Sequence, residues 1–340
     1  MKCIPVEEAV GTILCHDITQ ILPGEFKGRR FKKGDIIREE DIPVLLSLGK
    51  DRIYVWENVE GMVHENDAAI FLKDITMGEG LTFGEIKEGK ITFTAAYDGL
   101  LKVDAERLFE LNMLGEISFA SLHNNLPVTK GQAVAGTRVI PLVIDQKKLD
   151  RAKEVLDGHK IIEVKPMKSM TVGIVTTGNE VYYHRIEDKF GPILRKKMEH
   201  YHCQVAGQTF VPDDKEKIEK AIREWLDQGV DMVFCTGGMS VDPDDLTPSA
   251  IRDSGCEIVT YGTPVLPGAM FLVSYDPQGR PVLGLPGCVM HAGVTVFDLV
   301  FPRILAGEKI TMRDIAAYGH GGLCTGCPTC TYPNCHFGKV

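Results

Sequence analysis

The pattern of apolar and polar positions divides the chain in two. From Thr171 onward, short apolar runs alternate with amphipathic stretches of helical period, as strands and crossover helices do around a parallel sheet. Residues 171–176 read as the first strand, residues 192–202 as a helix, and Gln204–Val211 as the next strand. Asp213 and Glu216 have capping-box spacing at the head of a helix reaching Gln228. Residues 230–234 are wholly apolar, as a strand covered on both faces must be. Further strands are predicted over 257–260, 270–274 and Pro281–Leu285. Residues 288–305 are apolar on most sides and read as one long helix inside the fold.

Upstream, glycines punctuate short strands such as 52–56 and Ile91–Ala95, and residues 42–48 and 105–114 suit short helices. Segments 31–37 and 128–134 each place a Lys-Gly turn before an apolar stretch. Residues 144–168 form a charged stretch with a helical piece, Gln146–Leu156, that reads as a link. The predicted organisation is a β-rich region over 1–165, built of one or two subdomains, and an α/β domain over 166–310. The latter has an open, mostly parallel sheet with helices on both faces. A Cys-rich tail over 311–340 follows.

The 340 residues suit two or three domains, and 44% hydrophobic with 25% charged residues is ordinary globular material. A net charge of −9 argues against a general binder of nucleic acid or anionic membrane. No uninterrupted apolar stretch reaches the length of a membrane span, and residues 1–10 lack a signal-peptide core, so a cytoplasmic location is expected. His16, His64 and His123 are scattered and read as structural.

Candidate chemistry concentrates at Cys235-Thr236-Gly237-Gly238-Met239-Ser240-Val241-Asp242-Pro243-Asp244-Asp245-Leu246-Thr247-Pro248. An apolar strand runs into two glycines, three carboxylates and a helix start, with Thr247 placed to cap and Pro248 to open the helix. Glycines let backbone amides approach a ligand, and a helix start favours anions. Carboxylates beside a phosphate repel it unless a cation lies between. The loop therefore reads as a phosphate site bridged by Mg²⁺, or else as a βα turn with a solvated acidic surface. Loops 176–181, 212–214, 236–247 and 285–288 all follow predicted strands, the edge where open α/β sheets bind ligands.

These loops resemble the ordered motifs of the molybdopterin-binding domain found in molybdopterin adenylyltransferases, molybdopterin molybdotransferases and gephyrin-type proteins. The motifs are Thr177-Gly178-Asn179-Glu180-Val181, Thr236-Gly237-Gly238-Met239-Ser240-Val241, the segment 263–271, and Leu285-Pro286-Gly287. Pro212-Asp213-Asp214 and Asp244-Asp245-Leu246-Thr247-Pro248 look most like the adenylyltransferase acidic motifs. The likeness covers about residues 168–308, and the N-terminal half is similar in layout to the molybdotransferase.

The resemblance implies a pocket for molybdopterin or its adenylylated form. Asp245 would bind Mg²⁺ or an activated water, with Asp213 as its catalytic partner unless it only caps its helix. Glu180 would contact the ligand or order the metal. Gly237, Gly238 and Ser240 would cradle the phosphate or nucleotide, and Thr177, Gly178, Pro286 and Gly287 would complete the set. The implied role lies in molybdenum-cofactor synthesis, insertion or delivery, with a molybdoenzyme client and a homo-oligomer as expected partners. A non-catalytic carrier is the alternative. So is a nucleotide pyrophosphatase acting on ADP-ribose, because Gly-x-x-Asp-Asp-Leu-Thr-type motifs also resemble the competence-damage-inducible family.

The chain departs from the molybdotransferase pattern. Val265-Leu266-Pro267-Gly268-Ala269 keeps Pro-Gly but lacks both lysines of a Lys-Pro-Gly-Lys-Pro segment. Cys288-Val289-Met290-His291 follows Leu-Pro-Gly where Asn-Pro-Val-Ser is usual, and Asn179 replaces an Asp. Cys288 at a helix start is expected to have a lowered thiol pKa, and reads either as a ligand for a soft metal or dithiolene or as a small buried residue.

Four of the 10 cysteines, Cys324, Cys327, Cys330 and Cys335, lie within 12 residues. Their C-x2-C-x2-C-x4-C spacing suits an iron–sulfur cluster or tetrahedral Zn²⁺, the cluster being slightly favoured because two separated knuckles are lacking. The alternative is a reactive, flexible tail hinged at His320-Gly321-Gly322.

Overall fold

The computed structural model describes residues 2–22, 26–55 and 60–339. Trp56, at the end of the predicted strand 52–56, lies outside the described residues. The chain forms two compact units. The first comprises residues 1–94, 104–122 and 133–163; the second comprises residues 95–103, 123–132 and 164–340.

In the first unit, strand Lys2–Pro5 pairs antiparallel with Arg52–Val55, bringing Ile4 opposite Ile53. Both isoleucines join Val6, Leu14 and Leu45 in a small core closed by helix Ile42–Ser47. A second, four-stranded sheet has the order Leu81–Phe83, Ile91–Ala95, Ala133–Val139, Ile117–Ser121. The β-rich expectation holds here with one helix unforeseen, Glu65–Thr76. His64 caps it by accepting the Asn66 N–H at 3.1 Å, while Ala68, Ala69 and Leu72 are buried beneath it. The charged stretch after residue 144 is built in: Leu149, Ala152 and Leu156 of helix Gln146–Leu156 are buried.

The second unit is organised by a six-stranded sheet. Its strands in chain order are β1 (Thr171–Thr177), β2 (Gln204–Val211), β3 (Met232–Thr236), β4 (Glu257–Tyr261), β5 (Leu272–Tyr275) and β6 (Pro281–Leu285). The spatial order is β2-β1-β3-β6-β5-β4. β2, β1, β3 and β6 are parallel, and the β5 and β4 pairings are antiparallel. The open, mostly parallel α/β sheet expected from the sequence is therefore present, and β3 is buried at every residue.

Among the described helices of this unit, α1 (Phe190–His200), α2 (Lys215–Asp227), α3 (Thr247–Asp253) and α4 (Val296–Leu305) flank the sheet. Buried residues of α1 and α4 share one core with the sheet, and those of α2 and α3 share another, as cover on both faces requires. The small residues Gly173 on β1 and Gly207 on β2 make room for the Trp225 ring of α2, which a Cβ at either position would strike.

The long helix predicted over 288–305 is two elements. A 3₁₀ turn, Gly287–Met290, is followed by non-helical residues, and α4 then starts at Val296. Thr295 and Asp298 form a capping box, with the Thr295 N–H donating to Asp298 Oδ2 at 2.8 Å. That local cap sets the start of α4 against the apolar pattern. All ten residues of α4 are buried, as its composition predicts. Phe301 meets Tyr201, Phe234 and Phe297 with ring centroids 4.9–5.8 Å apart. Lys197 Nζ lies 2.5 Å from Asp298 Oδ1 and ties α1 to α4.

The cysteine segment packs on this core. Phe337 is buried, and the Tyr332 hydroxyl donates to the Asp298 carbonyl at 3.4 Å. No described helix is long and apolar enough to cross a membrane. Phe301→Ala should cost about 3–5 kcal/mol through the lost burial and the cavity left among three rings. Urea denaturation followed by far-ultraviolet circular dichroism measures this; an unchanged transition would refute the central place given to α4.

Candidate functional site

The strand order turns at β1: β2 lies to one side, while β3 and β6 lie to the other. A crevice at the carboxyl ends of strands flanking such a switch point is the ligand position of open α/β sheets. Here those ends are Thr177 of β1, Thr236 of β3 and Leu285 of β6.

The β3 loop is held against β1 by close backbone contact. Gly237 and Gly238 have φ of 85° and 55°. A Cβ on Gly237 would fall on the Thr177 carbonyl oxygen, and one on Gly238 would lie 2.8 Å from Thr247 Oγ1. Thr247 Oγ1 donates to the Gly237 carbonyl at 2.8 Å. Thr247 is thus the first residue of α3, not its cap, because its hydroxyl is engaged with the glycine turn; Leu246 occupies the cap position without a side-chain bond. The glycines are required first by protein packing and handedness, and exposure to a ligand follows.

Beyond the glycines, Met239 is buried in the core and anchors the loop from below. The Tyr261 hydroxyl of β4 lies 2.8 Å from the Ser240 carbonyl and 3.1 Å from that of Met239. Asp245 Oδ2 accepts the Asp242 N–H at 2.8 Å and folds the acidic segment into a turn. Asp242 and Asp244 are exposed, whereas Asp245 is half-buried.

The two aspartates after β2 divide their work differently from the sequence expectation. Asp214, not Asp213, caps α2, accepting the Lys217 N–H at 3.2 Å. Asp213 instead accepts the Asn179 N–H at 2.9 Å, joining the β1 and β2 loops. The physical reason is helix phase: α2 begins at Lys215, so only Asp214 stands at its cap. Burial raises the Asp213 carboxyl pKa above the ordinary value. The Asn179 N–H opposes that rise, while the negative charges of Glu180, Asp244 and Asp245 add to it. Those carboxylates therefore share one electrostatic field. Glu180 is exposed and folds back beside Gly178.

A cavity of about 530 Å³ opens above the sheet edge. One wall is Gly237, Gly238, Met239, Ser240 and Asp245. The segment from Leu266 to Met270 faces it, and Leu285, Pro286, Gly287, Cys288 and Met290 close the end with Phe190. Of the predicted site residues, Gly237, Gly238, Ser240, Asp245, Pro286 and Gly287 come together here. Thr177, Gly178, Glu180 and Asp213 do not line it: Thr177 and Gly178 are buried under the glycine turn, and Asp213 stands at Asn179.

Phe190 was not foreseen, because nothing in its local sequence marks a helix start as part of a pocket wall. Met270 and Cys288 lay inside motifs already singled out. Among the described lining residues, Asp245 is the only charged side chain. The Cys288 thiol has its pKa raised, chiefly by burial. This corrects the expected lowering, since a 3₁₀ turn of four residues supplies too little dipole to offset desolvation.

Cys324, Cys327, Cys330 and Cys335 line a separate cavity of about 180 Å³ in the same unit, and all are free thiols. Among the described residues, no three His, Cys, Asp or Glu side chains already converge as a metal-binding group.

Gly237→Ala should destabilise the second unit by at least about 2 kcal/mol, since a left-handed conformation costs a non-glycine residue ~1–2 kcal/mol before the clash with Thr177 is counted. Urea denaturation tests this, and an unaltered midpoint would show that the turn relaxes freely. Asp213 yields a pH prediction. Its folded pKa is raised, so its favourable contribution is complete below the ordinary carboxylate pKa and is lost as pH rises through the folded value. Asp213→Asn, which keeps an acceptor for Asn179, should raise the melting temperature at pH 7 by about 2 °C, with the gap closing toward pH 3. A variant less stable at pH 7 than the parent would overturn this.

Part of the chain is similar to known proteins. Residues 173–306 match the family described as a probable molybdopterin binding domain. Residues 3–57 match a domain of unknown function, DUF8806. The molybdopterin molybdenumtransferase of Synechococcus elongatus is 26% identical over 153 residues, covering 42% of this chain and 38% of that protein. That of Haemophilus influenzae is 30% identical over 158 residues, covering 44% and 38%. The chain thus matches about two fifths of the length of these relatives. The molybdopterin biosynthesis enzyme MoaB from Thermus thermophilus is 21% identical, with a TM-score of 0.33, over 41% of this chain and 98% of that one. Over residues 173–306, this chain matches the model of the molybdopterin-binding domain that its loop motifs resemble.

Proposed function

We propose that the second unit binds molybdopterin in the 530 Å³ cavity and acts in molybdenum-cofactor synthesis, insertion or delivery. The observation that carries this reading is the meeting of the glycine turn, Asp245 and the Pro286-Gly287 turn on one cavity at the sheet's switch point. The walls suit the ligand's chemistry. Phe190, Met270 and Met290 offer apolar, polarisable surface to a flat pterin ring, and the turn around Gly237 and Gly238 offers backbone to its phosphate.

A phosphate beside Asp245 with no basic side chain in the wall needs a cation. Asp245 would hold Mg²⁺, with Asp213 as the second carboxylate, and the ion would neutralise phosphate charge. The charges of Glu180, Asp244 and Asp245 support this, because they act on Asp213 in the same sense as its burial and a cation would relieve them. If the site is catalytic, the reaction is phosphate chemistry, with amides of the glycine turn stabilising developing charge. The lack of lysine at Ala269 and of any cation in the wall favours the second reading, a carrier that hands the cofactor to a molybdoenzyme.

The four C-terminal cysteines are assigned an iron–sulfur cluster or Zn²⁺ on their donor chemistry. Ten free thiols suit a reducing compartment, and the cytoplasm is proposed.

Purified protein incubated with molybdopterin, ATP, Mg²⁺ and molybdate separates the readings. Adenylylated or metallated pterin supports an enzyme, tight pterin binding without turnover supports the carrier, and hydrolysis of ADP-ribose without pterin binding overturns both. Asp245→Ala should lower Mg²⁺-dependent turnover, or Mg²⁺-dependent pterin affinity, by at least tenfold, or about 1.4 kcal/mol. Its loss of one loop hydrogen bond should cost only ~0.5–1.5 kcal/mol of stability. Unfolding of the variant would make Asp245 a structural residue instead.

A further inference from the structure

The cysteine segment and the pterin pocket share a wall. The Leu266 N–H donates to the Gly322 carbonyl, and the Cys324 N–H donates to the Leu266 carbonyl, both at 2.8 Å. Pro267, the next residue, lines both the large cavity and the cysteine-lined one. Cys330 rests on Gly293, where an added Cβ would lie 3.0 Å from its own. Beyond the thiols the chain is pinned again by buried Phe337 and by Gly338 against Leu299. Residues 325–331, between the two anchors, are exposed.

We infer that the four thiols form a site for a thiophilic metal ion and that filling it reshapes the rim of the pterin pocket. This rests on the pocket and the thiol metal assigned above and adds the coupling between them. Cys324, Cys327, Cys330 and Cys335 border one cavity, and sulfur donors select Zn²⁺, Cu⁺ or iron–sulfur species over Mg²⁺. His336 borders the same cavity, with its Nε2 3.0 Å from the Leu323 carbonyl.

The thiols do not yet converge, so a metal must draw the 325–331 loop inward. Each ligating thiol then loses its proton to solvent, with no change of oxidation state. Because Phe337 and Gly338 pin the far end in the core, the displacement falls on Cys324 and, through its N–H, on Leu266 and Pro267. Pocket shape would thereby report whether the sulfur site is filled, coupling metal supply to cofactor binding.

The test uses the full-length chain, reduced and stripped with a chelator, and Co²⁺ alone as probe. One equivalent should bind with intense sulfur-to-cobalt charge-transfer bands. Amide hydrogen exchange over residues 268–271 should slow at least about threefold on loading. The Cys327→Ser/Cys330→Ser double variant should lose the bands, and its rim exchange should not respond to Co²⁺. Absence of thiolate bands in the parent overturns the site. Bands with unchanged rim exchange overturn the coupling. Molybdopterin affinity, measured with and without Co²⁺, is a separate readout: failure to bind pterin in either state overturns the pocket assignment and leaves the exchange result to decide the coupling.

Discussion

The wedge of Gly237 and Gly238 between Thr177 and Thr247 is the contact on which the candidate site depends. The Thr177 carbonyl occupies the space a side chain at Gly237 would need, and the Thr247 hydroxyl both fills the space beside Gly238 and binds the Gly237 carbonyl. One turn therefore joins the end of β1, the end of β3 and the start of α3. With the glycine backbone fixed there, Met239 drops into the core and Tyr261 catches the next carbonyls. Asp245 then stands at the cavity, its carboxylate held by the Asp242 N–H.

Electrostatics at this edge is one-sided. Glu180, Asp244 and Asp245 all act on Asp213, and no basic side chain is found among the described residues that line the cavity. Asp214 is spent on the α2 cap and paired with Lys217. Nearby lysines are likewise engaged elsewhere: Lys215 pairs with Asp253, and Lys197 with Asp298. The apolar walls lower the local dielectric and sharpen the field of Asp245. Under the proposed function, a cation beside Asp245 would balance this charge when a phosphate binds.

Under the sheet, Asp298 is a junction. Its carboxylate closes the capping box of α4 and takes Lys197 from α1, while its backbone carbonyl takes the Tyr332 hydroxyl from the cysteine segment. The aromatic packing of Phe234, Phe297 and Phe301 holds the helix that carries this junction. The cysteine segment is thus part of the same packed unit as the pocket. That is why a change at its sulfurs has a mechanical route to Leu266.

Alternating hydrophobicity alone determined the parallel sheet, because strands covered on both faces must be apolar and the helices between them must be amphipathic. Local chemistry likewise marked the acidic loop, the Pro286-Gly287 turn and the four clustered cysteines. Four things were decided only by the tertiary structure. The aspartate that caps α2 depended on helix phase, which shifts by one residue without changing the pattern. The break before α4 came from a capping box that outweighed a continuous apolar run. The thiol pKa of Cys288 turned on burial, which no linear spacing reports. The wall of Phe190 and the shared Pro267 arose where distant segments meet, and such meetings are set by packing across the sheet rather than by any neighbour in the chain.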